Sequence, residues 1–153
     1  ATGEVASNQF RYSMLFRNPE QEVLPACRAN DLATLTYMSL EQGLLTGKVG
    51  MDRAFSSGDF RSNEAWNPWY KVENRQRVID FLAGFKPLAE KYACTTAQLV
   101  LAWTLAQPGV THILAGARRE SQARENARGG DLVIDSQDLV AMSNAVQLLG
   151  APK

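Results

Sequence analysis

The sequence predicts an α/β fold in which a parallel sheet is covered by helices. Short runs rich in β-branched and aromatic residues alternate with longer segments whose apolar residues recur every three or four positions, and this alternation is typical of consecutive β–α units. The chain has 153 residues, 45% of them hydrophobic, a length at which roughly one domain is expected. We therefore predict a single domain over residues 1–153.

The first two β–α units occupy the N-terminal part of the chain. A strand is predicted over residues 8–12, and Pro19 then favours a helix over 20–29, because proline suits the first turn of a helix. The second strand is predicted over 32–37 and carries few charges, as expected for a strand that is covered on both faces.

A long segment without clear periodicity follows at residues 41–70 and is rich in Gly, Ser, Asn and Asp. Segments of this length inside a compact domain are usually functional or mobile, so we interpret it as a lid or an insertion. It contains Trp66 and Trp69, which could cover a ligand or plug an exposed sheet edge; the sequence does not choose between these roles.

An extra pair of helices is predicted between the second and third strands, over residues 73–91 and 97–107. Pro87 should kink or interrupt the first of them, and Thr95 with Thr96 should cap the second. The second helix is apolar on most sides, so we expect it to lie buried against the sheet.

Two further β–α units complete the pattern. Gly129 and Gly130 are predicted to turn the chain between them, and Asp135 or Ser136 is expected to cap the last helix. In chain order, these elements are a strand at 110–114, a helix at 119–128, a strand at 132–134 and a final amphipathic helix.

The four predicted strands would leave two open sheet edges. A closed (β/α)8 barrel takes ~250 residues, so this chain corresponds to a parallel (β/α)4 half of a TIM-type barrel. We expect the edges to be covered in a homodimer, since two-fold assemblies are the commonest, or in a complex with a complementary half-barrel chain.

The charge balance argues against a nucleic-acid partner, and the distribution of apolar residues argues against a membrane span. Sixteen basic residues match sixteen acidic ones, which leaves no surplus charge for a nucleic-acid backbone. The longest apolar run, Leu99–Trp103, is far shorter than the ~18 residues of a membrane span. We therefore expect a cytoplasmic protein with small-molecule or protein partners. Cys27, Cys94 and His112 show neither a disulfide nor a metal-ligand spacing.

Four groups of residues form more specific motifs. Their order and spacing resemble the C-terminal half of the aldo-keto reductases, most closely the branch that contains the potassium-channel β subunits and bacterial relatives. The resemblance implies barrel strands five to eight and an NADPH-dependent reduction of an aldehyde or ketone. The motifs are Gln9-Phe10-Arg11-Tyr12-Ser13 with Arg17, Tyr37-Met38-Ser39-Leu40 followed by 42–48, Ala97-Gln98-Leu99 with Ala102-Trp103, and Gly116-Ala117-Arg118-Arg119 with Gln122, Glu125 and Asn126.

The same resemblance implies an NADP(H) site. The implied contacts are Gln9 and Tyr37 at the nicotinamide, Leu40, Gly43, Lys48 and Arg61 at the pyrophosphate, Gly116, Arg118 and Gln122 at the adenosine phosphate and ribose, and Glu125 and Asn126 at the adenine.

The local chemistry independently favours an anion near Gly116. A glycine allows close backbone approach, the following helix directs free N–H groups at the same place, and Arg118 and Arg119 add donors suited to a phosphate. This surplus of positive charge favours NADP over NAD. Met38, however, stands where relatives usually have serine, so we expect cofactor affinity to be weakened or lost.

The family's catalytic tyrosine, aspartate, lysine and histidine come from the first half of its barrel, and this chain has no matching half. We therefore assign no catalytic residue and predict that the chain alone is not a competent carbonyl reductase. The alternative is a non-enzymatic, self-associating interaction module in which the cofactor cleft is unused. In that interpretation Tyr37 is core packing, and Arg118 and Arg119 are a solvated helix start.

Overall fold

The computed structural model describes residues 5–63 and 65–153, which contain a three-stranded parallel sheet. Its strands are β1 (Ser7–Arg11), β2 (Ala33–Tyr37) and β3 (His112–Leu114), in that spatial order. The α/β class and the parallel pairing are thus confirmed.

The expected fourth strand, at 132–134, does not form. Ile134 is only 8% exposed and packs into the main core, with Leu132 beside it, so this segment is held against helices and does not align beside β3. Val133, between them, is 85% exposed. The described residues therefore contain three parallel strands where four were predicted.

The described residues contain six α-helices, and two of the predicted helical segments are divided into shorter elements. The helix predicted over 20–29 is divided into a 3₁₀ turn, Asn18–Glu20, and a shorter α-helix. The segment 73–91 is interrupted before Lys86, and Pro87 lies in the first turn of the second piece, where a proline is tolerated. The helices are α1 (Val23–Ala29), α2 (Val72–Ala83), α3 (Lys86–Lys91), α4 (Thr96–Leu105), α5 (Glu120–Gly130) and α6 (Ser136–Leu149).

Helix α4 forms the centre of the core, as its apolar sequence predicts. Leu99, Val100 and Trp103 are fully buried. The helix begins in a capping box, in which the Thr95 hydroxyl accepts a hydrogen bond from the Gln98 backbone N–H and the Gln98 side chain accepts one from the Thr95 backbone N–H. Among the described helices, none has the length and apolar character needed to cross a membrane.

Helices α4 and α5 approach each other closely at Gly129. A Cβ atom at this position would lie 3.2 Å from the Cα of Gln98 and 3.2 Å from the Cβ of Leu101. The predicted turn at Gly129 and Gly130 is therefore wrong: both residues belong to the last turn of α5, and the first of them lacks a side chain because the neighbouring helix occupies that space.

Residues 41–70 are anchored at both ends. Their described residues, all but 64, contain three short 3₁₀ turns, Glu41–Thr46, Phe60–Ser62 and Pro68–Tyr70. Leu44 and Leu45, near the beginning, are buried, as are Trp69 and Tyr70 at the end. The side chains between them are mostly exposed, so the middle of the segment lies on the protein surface while its two ends are packed in the core.

Candidate functional site

One face of the sheet is covered by helix and the other is open. In a parallel register, paired residues lie on the same face. Phe10, Thr36 and Ile113 form one such row, and Phe10 and Ile113 pack against a small core that contains Leu24 of α1. This is the covered face.

The opposite face presents the two residues that the resemblance places at the nicotinamide. Gln9, Leu35 and His112 form one row, and Tyr37 pairs with Leu114 two residues further on. Gln9 is exposed, and Tyr37 and Leu114 are 39% and 41% exposed. Tyr37 is therefore not buried in the core of the described residues.

The loop after β2 adopts an uncommon backbone conformation. Met38, Glu41 and Gln42 have φ angles of 59°, 44° and 53°, and Gly43 has 100°. Few non-glycine residues adopt the left-handed region, so this loop needs support from outside. A Cβ on Gly43 would meet no atom within 4 Å, and the loop surface is open there.

The side chains of Ser39 and Leu40, in the same loop, contact the interior of the protein. The Ser39 hydroxyl is buried and donates to the Tyr12 carbonyl oxygen at 3.1 Å, so it cannot replace the hydroxyl that Met38 lacks. The Leu40 side chain packs against the main core.

Lys48 and Glu125 form an ion pair, with 3.0 Å between Nζ and Oε2. The Gln98 side-chain amide donates to the Glu125 carbonyl oxygen at 3.0 Å. Hydrogen bonding from Lys48 holds the pKa of the Glu125 carboxyl below its usual value. Residues assigned to the pyrophosphate and to the adenine thus bind each other.

The loop between β3 and α5 is organised by side chains of the helix that follows it. The Gln122 side-chain oxygen accepts a hydrogen bond from the Arg118 backbone N–H at 2.9 Å, and the Asn126 amide donates to the Gly116 carbonyl oxygen at 3.3 Å. A Cβ on Gly116 would meet no atom within 4 Å. Arg118 and Arg119 are exposed beside this open backbone, an arrangement that suits an anionic ligand.

Arg61 is held by its own segment. Its Nε lies 2.8 Å from Asp59 Oδ1, and its guanidinium lies over the Phe55 ring, 4.5 Å from the centroid. Hydrogen bonds from Arg61 are the main reason that the pKa of Asp59 lies far below its usual range, and the charge of Arg118 adds to the effect. Arg61 is therefore already paired within the long segment.

Tyr12 and Tyr70 are not placed to deliver a proton at the open face. The Tyr12 hydroxyl is buried and donates to Glu20 Oε1 at 2.6 Å, and burial raises its pKa above its usual range. Tyr70 donates to the Glu41 carbonyl oxygen at 3.0 Å, and burial raises its pKa to about 12. His112 is exposed, with Nδ1 3.0 Å from the Thr111 hydroxyl.

The described residues contain no group of three or more His, Cys, Asp and Glu that could hold a metal ion. They also line an open pocket that the sequence did not predict, of about 510 Å³, between the loop after β1 and the end of α6. Trp66 and Trp69 both line it. Two tryptophans in a polar segment were the only sequence signal for it.

The comparisons with known proteins decide the family. The model of the family described as "Aldo/keto reductase family" matches residues 2–147. The chain belongs to the aldo/keto reductase family. The resemblance seen in the motifs is thereby confirmed.

Aldo/keto reductase relatives of both expected kinds match this chain. It is 38% identical to the NADH-specific methylglyoxal reductase of Escherichia coli over 96% of its length, and 34% identical to a probable voltage-gated potassium channel subunit beta of Arabidopsis thaliana over 82%. It spans 44% and 38% of the lengths of those two relatives.

Solved aldo/keto reductase structures agree with the observed fold. The glycerol dehydrogenase of Gluconobacter oxydans superposes with a TM-score of 0.82 at 26% identity, over 95% of this chain and 43% of that one. A thermostable aldo-keto reductase superposes with a TM-score of 0.65 at 18% identity, over 95% and 41%. The three strands and their helices therefore correspond to part of a TIM barrel.

Proposed function

We propose that this chain forms the nicotinamide-dinucleotide-binding part of an aldo/keto reductase and that the cofactor lies at the carboxyl ends of β1–β3. The observation that carries the proposal is the exposed Tyr37 ring, which pairs with Leu114 in the strand that leads directly to Gly116 and Arg118. A ring suited to stacking and a phosphate-type loop thus lie at one end of the sheet, where ligands of this barrel architecture bind.

The residues of the chain fit the two ends of such a cofactor. Exposed Gln9 can hydrogen-bond a carboxamide, and the Tyr37 ring offers an apolar face to a nicotinamide. Gly43 and Gly116 leave open space beside the backbone. When bound, the cofactor supplies a hydride to the carbonyl carbon of an aldehyde or ketone. This chain binds and orients the cofactor, and the proton must come from groups that the family carries elsewhere in its barrel.

The charge at the β3–α5 loop favours NADP(H) over NAD(H). Arg118 and Arg119 provide fork-shaped donors for an additional phosphate. The relative from Escherichia coli carries the name of an NADH-specific enzyme, so the choice between the two cofactors needs a direct test. The relative named for methylglyoxal and the solved structure named for glycerol both carry the name of a small molecule. We therefore propose a small carbonyl compound as the substrate class.

Titration of the 153-residue chain with NADPH and with NADH, followed by tryptophan emission, tests this proposal. Calorimetry run beside the emission measurement detects binding whether or not Trp66, which is 68% exposed in the long segment, responds. We expect saturable binding of NADPH that Arg118→Ala and Gln122→Ala weaken. Arg124→Ala is the matched control, because Arg124 lies on the same helix and pairs with Glu120. No response at millimolar concentrations of either cofactor would contradict the proposal.

The open face of the sheet supports a second candidate function, assembly with another chain. Tyr37 and Leu114, which pair on this face, are 39% and 41% exposed, although side chains on a barrel's inner face are normally covered. A second copy of this chain, or a chain that supplies complementary strands, would cover them. Sedimentation of the wild type should show a dimer that Leu114→Lys dissociates, whereas Val140→Lys, on exposed α6 surface, should not. A wild-type monomer at all concentrations would exclude the homodimer.

A further inference from the structure

Glu41 is a buried carboxylate at the beginning of the long segment, and the motifs give it no role. Its side chain is 4% exposed. Oε2 lies 2.6 Å from Arg11 Nη2, and Oε1 accepts a hydrogen bond from the Ser13 hydroxyl at 2.5 Å. Both carboxylate oxygens are therefore bound to residues at the end of β1.

The partners of Glu41 are themselves fixed. The Ser13 oxygen accepts hydrogen bonds from the backbone N–H groups of Leu15 and Phe16 at 3.1 and 3.0 Å. The Arg11 guanidinium lies 4.7 Å from the Phe16 ring centroid. The Glu41 carboxylate thus binds the end of β1 and the hydrogen-bonded turn that follows it.

The backbone of Glu41 belongs to the left-handed loop described above. Its φ is 44°, and the adjacent Gln42 has 53°. Tyr70 donates its hydroxyl to the carbonyl oxygens of both residues, at 3.0 and 3.2 Å. Conformations that L-residues adopt reluctantly persist only where the surroundings fix them. Here the side chain of Glu41 is held from one side and its backbone from the other.

Leu40 and Gly43 flank this anchor, and both are expected to line the pyrophosphate. We propose that Glu41 is a positioning residue for the cofactor site. Its carboxylate attaches the loop after β2 to the end of β1, and this loop carries Leu40 and Gly43; the inference rests on the proposed function. Glu41 is not a catalytic residue, since it is buried and both its oxygens are engaged. It acts through the backbone of its loop.

Two ligands separate this role from a general loss of structure. NADPH contacts the loop after β2 and the β3–α5 loop, whereas adenosine 2′,5′-bisphosphate carries only the adenosine end and needs the second loop alone. Glu41→Gln keeps the size of the side chain and removes its charge. We expect it to weaken NADPH binding about tenfold, as loss of a charged hydrogen bond does, and to leave binding of the bisphosphate unchanged.

Amide hydrogen exchange of the ligand-free chain provides a second measurement. Residues 38–46 should exchange faster in Glu41→Gln than in the wild type, while α4 and α5 should not change. Ser13→Ala removes one hydrogen bond to the carboxylate and should cause a smaller change of the same kind. Glu90→Gln, an exposed carboxylate on α3, is the control and should match the wild type.

Each outcome decides one of the two claims. Equal weakening of NADPH and of the bisphosphate, or unchanged exchange over residues 38–46, would overturn the positioning role of Glu41. Absence of binding of either ligand to the wild type would overturn the proposed function, and the exchange measurement would still show whether Glu41 fixes the loop. If Glu41→Gln does not fold, Ser13→Ala carries the test.

Discussion

The Lys48 ammonium group lies 3.0 Å from the Glu125 carboxylate and connects the loop after β2 with helix α5. These residues are 77 positions apart in the chain. The Gln98 amide fixes the α5 backbone at the same place by donating to the Glu125 carbonyl oxygen. The loop after β2 and helix α5, which both contribute to the proposed cofactor site, are therefore connected in the ligand-free chain.

We expect Glu125→Gln to lower the free energy of unfolding at pH 7 by less than about 1 kcal/mol, since the Lys48 partner is largely exposed. The pKa of Glu125 is lowered in the folded chain by hydrogen bonding from Lys48. The pair's contribution is therefore present above the carboxyl's ordinary pKa and is lost as pH falls through the lowered value. Urea unfolding at pH 7 and near pH 3 checks this. An equal difference between wild type and variant at both values would refute it.

We expect Gly129→Ala to destabilise the chain by about 1 to 3 kcal/mol, because its Cβ would crowd α4 and force a backbone shift. The clearance is 3.2 Å to the Cα of Gln98 and to the Cβ of Leu101. Gly130→Ala is the matched control: it lies next in the same helix, and a Cβ there meets nothing within 4 Å. It should be neutral or stabilising by up to about 1 kcal/mol. Thermal and urea unfolding measure both, and equal effects would show that helix propensity, not packing, governs the site.

We expect Thr95→Ala to cost about 0.5 to 2 kcal/mol of unfolding free energy, because the Thr95 hydroxyl caps the first turn of α4. Thr95→Ser keeps the hydroxyl and should retain most of this stability. Urea denaturation of both variants distinguishes the cap from the loss of a methyl group. Equal destabilisation by both substitutions would argue against the cap.

Helix α4 could be predicted from the sequence because its determinants are local. Thr95 and Gln98 are three residues apart, and the apolar run between Leu99 and Trp103 needs no distant partner to be recognised. The parallel β–α order could be predicted for the same reason. The strand expected at 132–134 failed because its three residues suit a strand locally, whereas the packing of Ile134 among helices decides its structure.

Some contacts of the candidate site could also be predicted from the sequence, and others could not. Gly116, Arg118 and Gln122 lie within one loop and the helix after it, so their association follows from sequence spacing. The pairing of Lys48 with Glu125, and the burial of Glu41 against Ser13, join distant parts of the chain. No periodicity or capping rule reports such contacts, so only the fold could reveal them.

The final prediction concerns the exposed ring of Tyr37. If it stacks on the nicotinamide, Tyr37→Phe should bind NADPH almost as the wild type does, because the aromatic face is kept. Tyr37→Ala should weaken binding by about 0.5 to 1.5 kcal/mol or more, the value of an aromatic contact beyond its buried area. Leu114→Ala, which changes the paired residue in β3, controls for altered packing of the sheet face. Equal losses for Phe and Ala would mean that the hydroxyl, and not the ring, contacts the cofactor. Fluorescence titration of the four proteins with NADPH distinguishes these outcomes.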